Sequence, residues 1–153
     1  MRLIALFFLT TLLLGFTCER DETSDDMIVP VDITQLTGKW KLLQTNGFNV
    51  TLVIEPVIQT WERLPDKVVK VSGESAVNQY SASLSYDAPD QPKVVISSIS
   101  STKRGGPAEA MQFEQTYFAQ LRAVDRYELT TNNRLRLHYT GTQPGVLLYE
   151  KVN

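Results

Sequence analysis

Few side chains in this sequence are placed to do chemistry, and Glu114 is the first of them. At about 100° per residue, Ala110, Phe113, Tyr117, Leu121 and Val124 fall on one arc of a helix, with Met111 and Phe118 widening its flank. Glu114 projects from the middle of that arc, where an ionised carboxylate is costly unless donors meet it. An acid so placed either contacts a ligand or is a structural carboxylate, tied to a backbone N–H, an Arg or a Tyr where helix meets sheet. The structural reading is favoured, because no His, Cys or second acid stands nearby in sequence to share a reaction. His138 is the only histidine and alternates with Arg134 and Arg136, so it lacks the second nitrogen or thiolate that a zinc site needs. Ser97 to Ser101 supply hydroxyls without a base beside them. These residues lead us to expect no catalytic group, no metal site and no cofactor.

The lone thiol, Cys18, has a different setting. Arg2 and the apolar run Leu3 to Phe16 form a basic and then a hydrophobic region, too short for a comfortable membrane span and suited to an export signal. The run ends in Gly15-Phe16-Thr17-Cys18 and resembles a bacterial lipoprotein signal, in which Cys18 would be acylated and become the first mature residue. The usual pattern has Leu three places before the Cys, where Gly15 stands here, and Gly, Ala or Ser just before it, where Thr17 stands. Both are small enough for ordinary signal cleavage at the same bond, so export is expected by either route. A single cysteine allows no intrachain disulfide. Glu19 to Asp26 carries no apolar residue to bury and reads as a solvated tether. The expected division is a signal peptide over residues 1–17, an acidic tether and lead-in over 18–35, and a folded domain over 36–153. The whole chain carries a net charge of −2, and removing the leader takes one basic residue and no acid. That mild acidity, without a basic stripe, argues against nucleic-acid binding.

The elements that must position Glu114 are short strands. Leu36 to Leu42 alternates Trp40 and Leu42 inward against Lys39 and Lys41 outward, and Val50 to Ile54 alternates again after the Asn46-Gly47 turn. Val57 to Asp66 carries no clear pattern. Lys67 to Ser72 reads as a strand, and so does Ala76 to Tyr86, in which Ala76, Asn78, Tyr80, Ala82, Leu84 and Tyr86 share one face. A buried Asn78 must find partners for its amide, and pinning a loop or the helix entry is its favoured role over holding a substrate. Lys93 to Ser100 is a further strand with Val94, Ile96 and Ile99 turned in. The helix follows, launched by Gly105-Gly106 with Pro107 at its first position and Glu109 near its positive end. Arg126 to Thr130, Arg134 to Tyr139 and Val146 to Glu150 close the chain as a meander, with Leu135, Leu137 and Tyr139 inward and Arg134, Arg136 and His138 in solvent. The expected fold is α+β, mostly β: a small antiparallel curled sheet or partly open β-barrel with one helix inserted late.

In order and spacing, these pieces resemble the META-domain (HslJ-like) family of small bacterial envelope proteins. The matching residues are Leu36-Thr37-Gly38-Lys39-Trp40-Lys41-Leu42, then Ala76-Val77-Asn78-Gln79-Tyr80-Ser81-Ala82, then Thr102-Lys103-Arg104-Gly105-Gly106-Pro107, and Met111-x-x-Glu114-x-x-Tyr117-Phe118-x-x-Leu121. Tyr127-x-Leu129 and Leu135-x-Leu137 complete the match, which runs from about Leu36 to the end. The resemblance marks Trp40, Asn78, Tyr80, Thr102, Glu114 and Tyr117 as structural or ligand-contact positions. Val77 and Gly106 stand where family members commonly carry cysteine, which implies that the two are neighbours in space and that no redox role operates here.

The function this implies is non-enzymatic: an exported, lipid-anchored envelope protein, a monomer, serving as a protein-binding or envelope-stress accessory. Its partners would be the membrane, through the lipid on Cys18, and an envelope protein. Its place would be the outer membrane, facing the periplasm or the surface. A second reading comes from Gly38-Lys39-Trp40, which also looks like the Gly-x-Trp of lipocalin-like carriers of apolar ligands. An accessible apolar cavity inside the barrel would favour the carrier, and a core filled by Trp40, Phe113, Phe118 and Leu121 the binder.

Overall fold

Alternating apolar residues on short segments build one antiparallel ribbon that curls around its own side chains. The computed structural model describes residues 27–29, 32–56, 68–88 and 92–152. The leader, the tether with Cys18, and the segment from Val57 to Asp66 lie outside the described residues. Nine strands are described: β1 (Ile28–Val29), β2 (Gly38–Leu42), β3 (Thr51–Ile54), β4 (Val68–Glu74), β5 (Gln79–Tyr86), β6 (Val94–Ser101), β7 (Val124–Thr130), β8 (Arg134–Tyr139) and β9 (Gly145–Val152). One helix, α1 (Ala108–Arg122), joins β6 to β7. Strands β2 to β6 form one meander and β7 to β9 another, and β9 pairs back onto β2 to give the order β1-β7-β8-β9-β2-β3-β4-β5-β6.

The ribbon curls until its two halves touch, but it does not close. Lys93 bridges to Arg126, and the Tyr127 N–H donates to the Pro92 carbonyl at 2.8 Å. Beyond that point the edge of β7 is already taken, because β1 pairs with Leu129 and Thr130. The folded part therefore reaches further back than Leu36, with Ile33 buried in a short 3-10 turn over Ile33–Leu36. Leu36 belongs to that turn rather than to the strand that follows it.

Inside the curl, Trp40, Tyr149, Leu52, Leu84, Leu135 and Leu137 are fully buried, and α1 adds Tyr117, Phe118 and Leu121. Each such aliphatic or aromatic side chain contributes about 1.5–3 kcal/mol on leaving water. Phe113 departs from expectation: it is half-buried and packs on Phe48 outside the barrel interior, with ring centroids 5.1 Å apart. Val124 also departs, since the helix ends at Arg122 and Val124 opens β7, where it is buried. Pro107 is the N-cap with extended ψ of 144°, one residue earlier than the first helical position. On β6, Ile99 does turn inward along with Val94 and Ile96. An extra residue between Ser97 and Ser100, with Ser98 at φ 54°, shifts the alternation by one.

Gly73 on β4 shows what the close packing of this ribbon demands. It stands opposite Tyr80 of β5, and the Tyr80 hydroxyl passes over it to donate to the Thr51 carbonyl on β3 at 3.0 Å. A Cβ at residue 73 would lie 2.0 Å from the Thr51 oxygen and 2.8 Å from the Tyr80 hydroxyl. Gly73→Ala should therefore cost about 2 kcal/mol or more, because backbone or ring must shift. Urea unfolding at neutral pH reads this directly, and an unchanged midpoint would mean that the three strands tolerate spreading.

Candidate functional site

The polar residues singled out by type and spacing converge where α1 meets the start of β5. Glu114 lies in the second turn of the helix and is 7% exposed. Its Oε2 accepts from the backbone N–H of Asn78 at 2.8 Å and of Val77 at 3.2 Å, and from the Ser75 hydroxyl. Its Oε1 accepts from the Asn78 side-chain amide at 2.7 Å. Burial alone would push this carboxyl up. The hydrogen bonds from Ser75, from the side chain and backbone of Asn78 and from Val77 outweigh it and hold the pKa below the ordinary carboxylate value.

Asn78 passes the connection on to the loop that enters the helix. Its Oδ1 accepts from the Thr102 hydroxyl and from the Arg104 N–H, both at 2.7 Å, and its Nδ2 also reaches the Arg104 carbonyl at 3.4 Å. The amide orientation follows from these partners, since only a nitrogen can face the carboxylate and only an oxygen the two donors. Thr102 in turn accepts from the Gln79 N–H at 3.2 Å. Asn78 thus bonds the turn that carries it to the loop that enters the helix. The segment holding it is a turn rather than strand: the Ser75 N–H donates to the Asn78 carbonyl at 2.8 Å, and the strand begins only at Gln79.

Tyr80 and Tyr117 belong to a second, adjoining system. Their hydroxyls lie 2.8 Å apart, and Tyr117 lies 3.1 Å from Tyr149. Each phenol has one proton, and that of Tyr80 goes to the Thr51 carbonyl. Tyr117 must then donate to Tyr80, and Tyr149 to Tyr117, which fixes the direction of the whole chain. Burial pushes all three phenols well above their ordinary value, so they stay neutral hydroxyls. Trp40 is apart from both systems: its Nε1 donates to the Leu36 carbonyl at 2.8 Å, and the Lys151 ammonium sits 5.3 Å from its ring centroid.

Ser75 and Tyr149 are the members that sequence reasoning missed. A Ser three residues before the inward Asn was the available signal for the first, and an inward position on the last strand for the second. The expected solvent-facing row on β8 is half-buried instead. His138 Nε2 lies 3.0 Å from Glu128 Oε2, and Glu128 also meets Arg126 at 3.3 Å. Among the described residues no cluster of three His, Cys, Asp or Glu side chains could hold a metal.

Two predictions follow the geometry. Glu114→Gln keeps the shape but turns a donor toward donors, and should cost about 3 kcal/mol in urea unfolding at neutral pH. Because the folded pKa is depressed, this stabilisation is present above the unfolded value and is lost as pH falls through the ordinary carboxylate range toward the folded one. The variant should lack that part of the acid limb, and an acid limb identical to that of the parent would remove Glu114 as its cause. Separately, an ideal Cβ on Gly106 would stand 3.6 Å from the Val77 Cβ, a disulfide separation. Val77→Cys with Gly106→Cys, in a Cys18→Ser background, should oxidise spontaneously and stabilise by about 3 kcal/mol. A rise in midpoint reversed by dithiothreitol reads this; persistently free thiols would show that the loop sits elsewhere.

The family model described as META domain matches residues 33–151. A solved structure described as the NMR structure of the protein from Burkholderia xenovorans has the same fold, with a TM-score of 0.54 at 19% identity over 82% of this chain and 91% of that one. No curated protein matches. Because that family model covers most of the length, the chain belongs to the META domain family.

Proposed function

We propose that this protein is a non-enzymatic binding module of the bacterial cell envelope, exported and held at the outer membrane by a lipid on Cys18. There it would act as an accessory in envelope stress through contact with a protein partner. The observation that carries this reading is the state of the polar cluster. Both oxygens of Glu114, both ends of the Asn78 amide and the Thr102 hydroxyl are engaged on the chain itself. The three phenols are likewise engaged in one directed chain. A general acid or base needs a proton it can exchange with a substrate at the operating pH, and none of these groups offers one. Their work is to hold a rigid body, and a rigid polar cluster whose groups are spent on one another suits recognition better than turnover.

The carrier reading would need space within the barrel. The described interior is filled by Trp40, Tyr117, Tyr149, Phe118 and Leu121, which gives that reading no support. The anchor reading draws on the basic and apolar leader ahead of Cys18 and on the acidic tether behind it.

The test is expression of the full chain in a bacterial host, detergent extraction of the envelope, and mass spectrometry of the N-terminal peptide and of co-purifying proteins. A triacylated Cys18 peptide, loss of envelope association in Cys18→Ser and a stoichiometric protein partner are expected. An unmodified N-terminus would remove the anchor, and turnover of a substrate lost in Glu114→Gln at a temperature where that variant is folded would remove the non-enzymatic reading.

A further inference from the structure

One concavity of the described surface is not accounted for by the buried cluster. A groove of about 560 Å³ runs alongside α1, bounded on the other side by the turn after β2 and by the adjoining ends of β8 and β9. Its volume is in the range of small-ligand sites, about 300–1,000 Å³. We propose that this groove binds a neutral saccharide, of about disaccharide length. The inference stands apart from the anchor and the protein partner proposed above and does not need either.

The lining sets the chemistry. Gln112, Thr116 and Gln120 stand four residues apart on one side of the helix, a row of uncharged donor and acceptor groups rising about 6 Å per step. Gln44 and Asn46 face them from the turn. The amides of Gln44, Asn46 and Gln112 bond to no other group among the described residues, and Gln120 lends its Nε2 to the Tyr139 hydroxyl while its carbonyl stays available. A primary amide offers both a donor and an acceptor, which is what a hydroxyl requires in return. The tilted Phe48–Phe113 pair adds an apolar surface for the C–H face of a sugar ring.

Other ligand classes fit less well. Among the described residues no Lys, Arg or His lines the groove and Glu109 is the one charged residue, so a phosphate, a carboxylate or a nucleic acid would meet the wrong sign. An extended peptide can be held by adding a strand to a free sheet edge. The strands at this groove have none to offer, since β2 lies between β9 and β3, and β8 between β7 and β9. Recognition therefore falls on side chains, and these are amides and hydroxyls around an aromatic pair.

The experiment uses the full chain with cellobiose and N,N′-diacetylchitobiose as probes, followed by saturation-transfer NMR and calorimetry, with a neutral extended peptide as comparison. Saturable binding of at least one disaccharide is expected, and the stronger of the two identifies whether an acetamido group is read. Gln44→Ala and Gln112→Ala are exposed changes that leave the core intact, and each should weaken binding about fivefold. Circular dichroism confirms that both variants remain folded. Failure of both disaccharides to bind, affinity unchanged in both variants, or binding of the peptide alone would overturn the proposal. None of these outcomes bears on Cys18 or on a co-purifying protein.

Discussion

A carboxylate buried where a helix meets a turn is the constraint around which this molecule is arranged. Removing Glu114 from water would be costly if it stood alone, and among the described residues no cation meets it. Neutral donors do: two backbone N–H groups, one hydroxyl and one side-chain amide. The two consecutive backbone donors, from Val77 and Asn78, can both point at one oxygen only if residues 75–78 turn tightly. The acid therefore dictates the backbone that binds it, as an anion dictates the nest of amides around it. Because Asn78 then holds the Thr102 hydroxyl and both backbone groups of Arg104, the same acid fixes the approach to its own helix.

The phenol chain extends that rigidity into the barrel. Tyr149 on β9, Tyr117 on α1, Tyr80 on β5 and the Thr51 carbonyl on β3 come from both meanders and from the helix between them. A sheet that does not close could open along its seam at β6 and β7. A polar chain crossing the interior resists that opening in a way apolar contacts do not, because each hydroxyl would lose a buried partner. Edge-on contacts of Tyr80 with Tyr117 and Phe118, at centroid distances of 5.9 and 5.4 Å, hold the rings that carry the hydroxyls. Gly73 is the concession this requires, a residue without a side chain where a ring must cross a strand.

How much of this was readable in advance depended on whether the information was local. Strands β2 and β8 were legible because Trp40 and Leu42, and Leu135 and Leu137, alternate cleanly with charged residues. The helix was legible from its apolar arc, and Glu114 from its place within it. The ends of elements were not. Val124 continues the helical arc by sequence, yet the chain turns at Ala123 and presents the same apolar side from a strand. The segment Ala76 to Asn78 has the period of a strand in sequence, yet the chain turns there and buries Ser75 and Asn78 while Ala76 and Val77 stay half-buried. Inward aromatic positions could be listed, but nothing local says that the Tyr149 hydroxyl would meet that of Tyr117. The groove is assembled from a turn, a helix face and two strand ends far apart in sequence, so no single stretch announced it.

The contact between Val77 and Gly106 shows how this chain can do without the cysteines that the family resemblance associates with these two places. A crosslink there would tie the turn that binds Glu114 to the loop that launches the helix, constraining the unfolded chain by about 3 kcal/mol. Here the same two segments are already joined by the bonds from Asn78 to Arg104 and Thr102, and Gly106, lacking a Cβ, leaves room for both methyls of Val77. The difference lies in what can undo the junction. A disulfide answers to reductant and is indifferent to mild acid. A junction centred on a carboxylate answers to protons and is indifferent to redox state, and with Val77 and Gly106 at its two sides it holds no thiol for a reductant to act on.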